Sequence, residues 1–113
     1  MSSLGDEIRR ARMEQVDVAG FTFTIRRPTD VEILELRTTG AQTVDMAARF
    51  VVGWDKVRGI DLYPGGDDAP VAFDADAWAE WCKDRPDFWA PLSDAVVAAY
   101  KRFVERREAA VKN

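Results

Sequence analysis

Residues 16–34 read Val-Asp-Val-Ala-Gly-Phe-Thr-Phe-Thr-Ile-Arg-Arg-Pro-Thr-Asp-Val-Glu-Ile-Leu, and two different periods meet inside them. Before Pro28 the apolar residues fall on alternate positions: Val16 and Val18, then Phe21, Phe23 and Ile25 with Thr22, Thr24 and Arg26 between them. A period of two belongs to a strand with one buried face, and Ala19-Gly20 has the composition of a turn, so the stretch predicts a β-hairpin or a single bent strand. Pro28 stops it. Thr29-Asp30-Val31-Glu32 then has the spacing of a capping box, in which the Thr hydroxyl and the Glu carboxylate satisfy backbone amides reciprocally. That predicts a helix to about Thr38, burying Val31, Leu34 and one of Ile33 or Leu36, with Gly40 as its stop.

Working outward, a second helix starts with Thr43 as cap and carries Val44, Ala47, Ala48 and Val51 on one stripe, with Gly53 ending it or marking a close approach. Trp54 to Ala72 shows no helical period. Ile60 and Leu62 flank Asp61, Val71 and Phe73 flank Ala72, and a Pro64–Pro70 turn region lies between, which predicts a second, short irregular hairpin. Asp74 caps a third helix with Trp78, Trp81 and Cys82 on one face. The last helix spaces Leu92, Val96, Ala99 and Phe103 by a 3.6-residue period, takes Pro91 in its first turn, and becomes nearly all polar from Glu105 onward. Upstream, residues 1–15 form a polar N-terminal arm or short helix anchored by Leu4, Ile8 and Met13. The expectation is an α+β fold, mainly helical with three to four helices, an N-terminal hairpin and the irregular one, in a single domain over 16–113 whose C-terminal helix end projects.

The residue types that are missing restrict the chemistry. The 113 residues include no histidine and one cysteine, Cys82, which removes the commonest general base and metal ligand, the Ser-His and Cys-His nucleophile arrangements, and any internal disulfide or thiolate zinc cage. The acidic run Asp67, Asp68, Asp74, Asp76 lacks the EF-hand spacing, and Asp74 and Asp76 suit a helix N-terminus. Gly65 and Gly66 lack the context of a phosphate loop. Asp61 and Asp67 are the carboxylates a small hydrolase would need, but nothing in their spacing makes them converge. No catalytic, cofactor-binding or metal residues are assigned.

Charge is uneven: residues 55–87 hold nine acidic and four basic side chains, residues 88–113 three and five, within a chain of net charge −4. The basic residues of the tail alternate with Glu105 and Glu108 as on a solvated helix face, so no nucleic-acid partner is expected. The longest wholly apolar run, Ala95 to Tyr100, is six residues, so no membrane partner is expected either. The unusual content is tryptophan. Trp54, Trp78, Trp81 and Trp89 fall within 36 residues, and tryptophan is both a core residue and an interface anchor. Trp89, Phe88, Trp81 and Tyr63 are therefore the candidates for a partner-binding face, and a homo-oligomer is compatible with the same residues.

The order of features carries a resemblance. Phe-Thr-Ile-Arg-Arg-Pro-Thr-Asp at 23–30, Arg49-Phe-Val-Val-Gly-Trp-Asp-Lys-Val57, Asp61-Leu62 before a Gly-rich tip, Pro70-Val-Ala-Phe-Asp74 and Trp78 resemble the tail assembly chaperones of long-tailed bacteriophages and related prophages, over about residues 21–100. The most specific piece is the helix ending in Gly-Trp-x-x-Val, followed by a turn-rich stretch and a Val-x-Phe-Asp helix start. The resemblance implies a non-enzymatic protein of the host cytoplasm. Such a protein coats the long tape measure protein, keeps it soluble, helps recruit tail tube subunits and is absent from the finished particle. It brings no catalytic residues. The alternative is a structural virion component such as a tail terminator or connector subunit.

Overall fold

The computed structural model describes residues 3–112. Three antiparallel strands form one sheet in the order β1 (Met13–Val18), β2 (Phe21–Arg26), β3 (Val51–Asp55), with the Phe-Thr-Phe-Thr-Ile strand at the centre. The β1–β2 connection is the two-residue turn Ala19-Gly20. Both residues have positive φ, 52° and 85°, the combination a tight hairpin with right-handed strand twist requires. Register places Val18 opposite Phe21 and Val16 opposite Phe23, and Phe23 is paired on its other side with Trp54. A shift of register between Thr24 and Ile25 then sets Ile25 against Val51. Gly53 lies opposite Thr24, whose Cβ would stand 3.2 Å from any Cβ added there. This is the close approach that Gly53 permits.

Helix α1 (Leu4–Ala11) precedes the sheet, and α2 (Asp30–Thr39) and α3 (Thr43–Phe50) separate β2 from β3. Helix α4 (Gly59–Leu62) is a single turn, and α5 (Ala75–Lys83) and α6 (Pro86–Lys112) complete the chain. The capping box of α2 forms as expected, with Thr29 Oγ1 accepting from the Glu32 amide and Glu32 accepting from the Thr29 amide, and Gly40 closes the helix in the left-handed conformation. Asp74 caps α5 through the Ala77 amide. The core gathers on one face of the sheet: Phe23, Ile25 and Val51 from the strands, Ala47 and Phe50 from α3, Trp78, Trp81 and Cys82 from α5, and Phe88, Leu92 and Val96 from α6.

The helix count is six among the described residues, above the three to four expected. Leu4–Ala11 is a real helix, capped by a Ser3–Asp6 box, and strand β1 begins at Met13, inside the expected N-terminal arm. Glu14 and Gln15 are exposed, so the alternating signal vanishes at that end of the strand. The second hairpin is not a pair of strands. Its limbs meet at one bridge, Arg58 with Pro70, and through the Val71, Gly59 and Ile60 amides bonded to the Val57, Ala69 and Asp67 carbonyls respectively, while the α4 turn occupies one limb. Gly66 is obligatory there, since a Cβ on it would lie 2.2 Å from the Gly59 carbonyl carbon.

Three boundaries also move. The N-cap of α3 is Gln42 rather than Thr43, and Val51 leaves the helical stripe to open β3 directly after Phe50. Helix α6 starts at Pro86, which puts Phe88 and Trp89 inside it and moves Pro91 beyond the first turn. Val31 and Leu34, expected in the core, are 65% and 64% exposed, and Leu36 is the α2 residue that packs inward.

Ala19 carries the cost of the hairpin turn, because left-handed backbone disfavours an L-residue by roughly 1–2 kcal/mol. Ala19→Asn, which tolerates that conformation, should raise stability by about 0.5–1 kcal/mol, a gain of about 2–5 °C in Tm for a chain of this size. A melting curve with an unchanged or lower midpoint would contradict the turn assignment.

Candidate functional site

The four aromatic candidates separate. Phe88 is fully buried and Trp81 nearly so, their ring centroids 5.1 Å apart within the core, which makes them packing residues rather than a presented face. Trp89 is half-buried, and its indole N–H donates to the Cys82 carbonyl at 2.7 Å, tying α6 to the end of α5. Tyr63 alone is strongly exposed, at 60%. It lines a shallow open cleft of about 480 Å³ with Ile60, Pro64 and one edge of Trp81. Tyr63 and Trp81 thus meet in one cleft, while Phe88 and Trp89 lie outside it. Cys82 is buried, and desolvation pushes its thiol up to about 11, so it is not a nucleophile at neutral pH. Among the described residues, no group of three or more His, Cys, Asp or Glu side chains is placed to hold a metal ion, and no helix is long and apolar enough to cross a membrane.

A groove of greater volume than this cleft lies elsewhere. Ile33 and Leu36 of α2 form one wall, Met46 of α3 contributes to the lining, and Val97, Tyr100 and Val104 of α6 form the facing wall of an open groove of about 670 Å³. Arg37, Lys101 and Glu105 add charge to this mainly apolar lining. At 100° per residue, Ile33 and Leu36 point to one side of α2 while the exposed Val31 and Leu34 point to the other, so the helix carries apolar residues on two opposite faces.

Helix α2 stays in place through charged ties at its first two turns. Arg26 grips Glu32 with two parallel bonds, 2.7 and 2.8 Å, and Arg49 reaches both Glu32 and Glu35. Asp30 accepts from the Tyr100 hydroxyl and from Arg107, both at 2.7 Å, which ties the start of α2 to α6 across the mouth of the groove. The Arg26 fork, with help from the Thr29 amide, pulls the Glu32 carboxyl down to about 2 against the cost of its partial burial. Sequence reasoning missed this groove because it weighed tryptophan. The available signal was Val31, Ile33, Leu34 and Leu36 in a ten-residue helix, more apolar side chains than one buried face needs. Comparison with family models, curated proteins and solved structures returns no match.

Because the folded Glu32 carboxyl titrates below its ordinary value of 4.5, its stabilisation is complete above that pH and is lost as pH falls through about 2. Glu32→Gln should therefore cost about 1–2 kcal/mol at neutral pH, with the penalty shrinking in acid, and should speed amide hydrogen exchange in α2 more than in α6. A pH-independent penalty would show that the ion pairs do not hold the helix.

Proposed function

We propose that this protein is a non-enzymatic phage tail assembly chaperone that binds the tape measure protein through the α2–α3–α6 groove and helps recruit tail tube subunits during tail morphogenesis. The observation that carries the reading is the groove itself, taken with the sequence resemblance. Its aliphatic walls run along α6 from Val97 to Glu105, about two helical turns, and match the apolar stripe of an amphipathic helix. A tape measure protein is a long helical chain whose apolar stripes lack partners until the tail is built around it. Met46 gives the lining an adaptable surface, which suits a client presenting many similar but unequal helical segments. The net charge of −4 keeps such complexes soluble.

Co-expression with the tape measure protein of the same tail gene cluster should raise that protein's solubility and give co-purification. Val97→Asp, at a position already 41% exposed, should leave the fold intact and weaken capture at least tenfold, about 1.4 kcal/mol. A tape measure protein that behaves identically with and without this chain overturns the proposal. So does the presence of this chain in purified particles, which would mark a connector or terminator subunit.

A further inference from the structure

On the side of α6 facing the start of β1, the charge balance is reversed relative to the whole molecule. Arg12, Arg27, Arg102 and Arg106 line a pocket of about 240 Å³ together with Glu14, and Phe103 is part of the lining. Four guanidinium groups thus share one carboxylate, in a chain whose net charge is −4. That carboxylate is already taken, since Glu14 pairs with Arg102. Among the described residues Arg12, Arg27 and Arg106 have no ion-pair partner. Among the same residues, the buried Arg12 Nε finds no hydrogen-bond acceptor. The Arg27 guanidinium lies 3.4 Å from the centre of the Phe103 ring and, among the described residues, donates only to the Pro28 carbonyl.

Like charges gathered in a concave, partly desolvated site raise the free energy of the empty state, and an anion that enters relieves all of them together. Burial, and then the Arg12 charge, hold the Arg27 guanidinium below its ordinary value, and the Asp30 carboxylate offsets them only in part. The pocket is built from places the fold holds firmly. Arg12 caps α1 and accepts the Arg27 amide on its carbonyl, Arg27 follows the central strand, and Arg102 and Arg106 are one turn apart on α6. Guanidinium forks match the oxygen spacing of tetrahedral and planar oxyanions, and three unpaired forks exceed what a single negative charge would neutralise.

We infer that the pocket between the α1–β1 junction and α6 is a binding site for a compact, doubly charged oxyanion of the phosphate class, held by Arg12, Arg27 and Arg106. The site is separate from the groove assigned to the client helix and stands or falls independently of that assignment. The ligand is either free phosphate or the terminal phosphate of a small molecule, two sources sharing one chemistry.

Titration of the full chain with sodium phosphate at constant ionic strength tests this, read by nuclear magnetic resonance at backbone amides and arginine Nε–H groups. Saturable shifts confined to residues 11–14, 27 and 99–106 are expected, with the Arg12 Nε–H among the largest. Arg106→Gln, at an exposed position, should weaken binding at least tenfold, with a melting midpoint in the absence of phosphate no lower than that of the parent chain. A nucleoside monophosphate that binds more tightly than phosphate identifies the small-molecule source, and equal affinity identifies free phosphate. Acetate binding as well as phosphate, shifts growing linearly across the whole surface as with chloride, or saturable binding of a DNA duplex without any of phosphate would each overturn the inference.

Discussion

Phe23 stands where the sheet meets α5 and α6, and the architecture depends on the packing around its ring. Its centroid lies 5.2 Å from that of Trp78, 5.3 Å from Phe88 and 6.3 Å from both Trp81 and Phe21, most of the rings tilted or edge-on as their quadrupoles prefer. The cluster joins parts of the chain that share few regular hydrogen bonds. Three of the four tryptophans also use their indole N–H as a tie to backbone: Trp54 to Val71, Trp78 to Ala47 and Trp89 to Cys82. Each tie joins two separate segments of the chain, so the bulky side chains fill the centre and fix the outer segments at the same time. The loop from Val57 to Val71, which has little secondary structure of its own, is held in this way by Trp54 at its far end.

Much of this was legible because local and long-range signals agreed. The alternation around Phe23, the Thr29–Glu32 box, Gly40 and the Asp74 cap each name a backbone conformation that tertiary packing then uses. Where the reading failed, one signal masked another. Val51 continues the apolar stripe of α3 in sequence, yet strand pairing with Ile25 takes it out of the helix one residue after Phe50. Glu14 and Gln15 belong to a strand whose faces there are both wet, so alternation has nothing to report. Val31 and Leu34 look like core residues in composition, but the ion pairs of Glu32 and Glu35 fix the rotation of α2 and leave them outside.

The candidate site was less legible than the fold for a related reason. Aromatic crowding is a sign of contact area, and here the contacts are internal. The surface features arise instead from residues that are unremarkable in isolation: aliphatics brought together from three helices, and arginines brought together from the end of α1, the end of the central strand and α6. Only the crossing of α6 past both α2 and the β1 end creates these two concavities. They lie along different residues of the same long helix, with Lys101 and Glu105 on one and Arg102 and Arg106 on the other. Adjacent numbers thus serve different faces, about 100° apart around the helix, as the helical period dictates.

The burial of Cys82 bears on how the molecule meets changes in its surroundings. With its thiol displaced to about 11 and no histidine in the chain, the two side-chain types whose ordinary values lie nearest neutrality, thiol and imidazole, supply no titration at pH 7. A pH dependence of its associations near neutrality has neither an imidazole nor a thiolate of this chain as its source, and points to a terminal amine or to the other molecule, whose own titration can then be read against this chain.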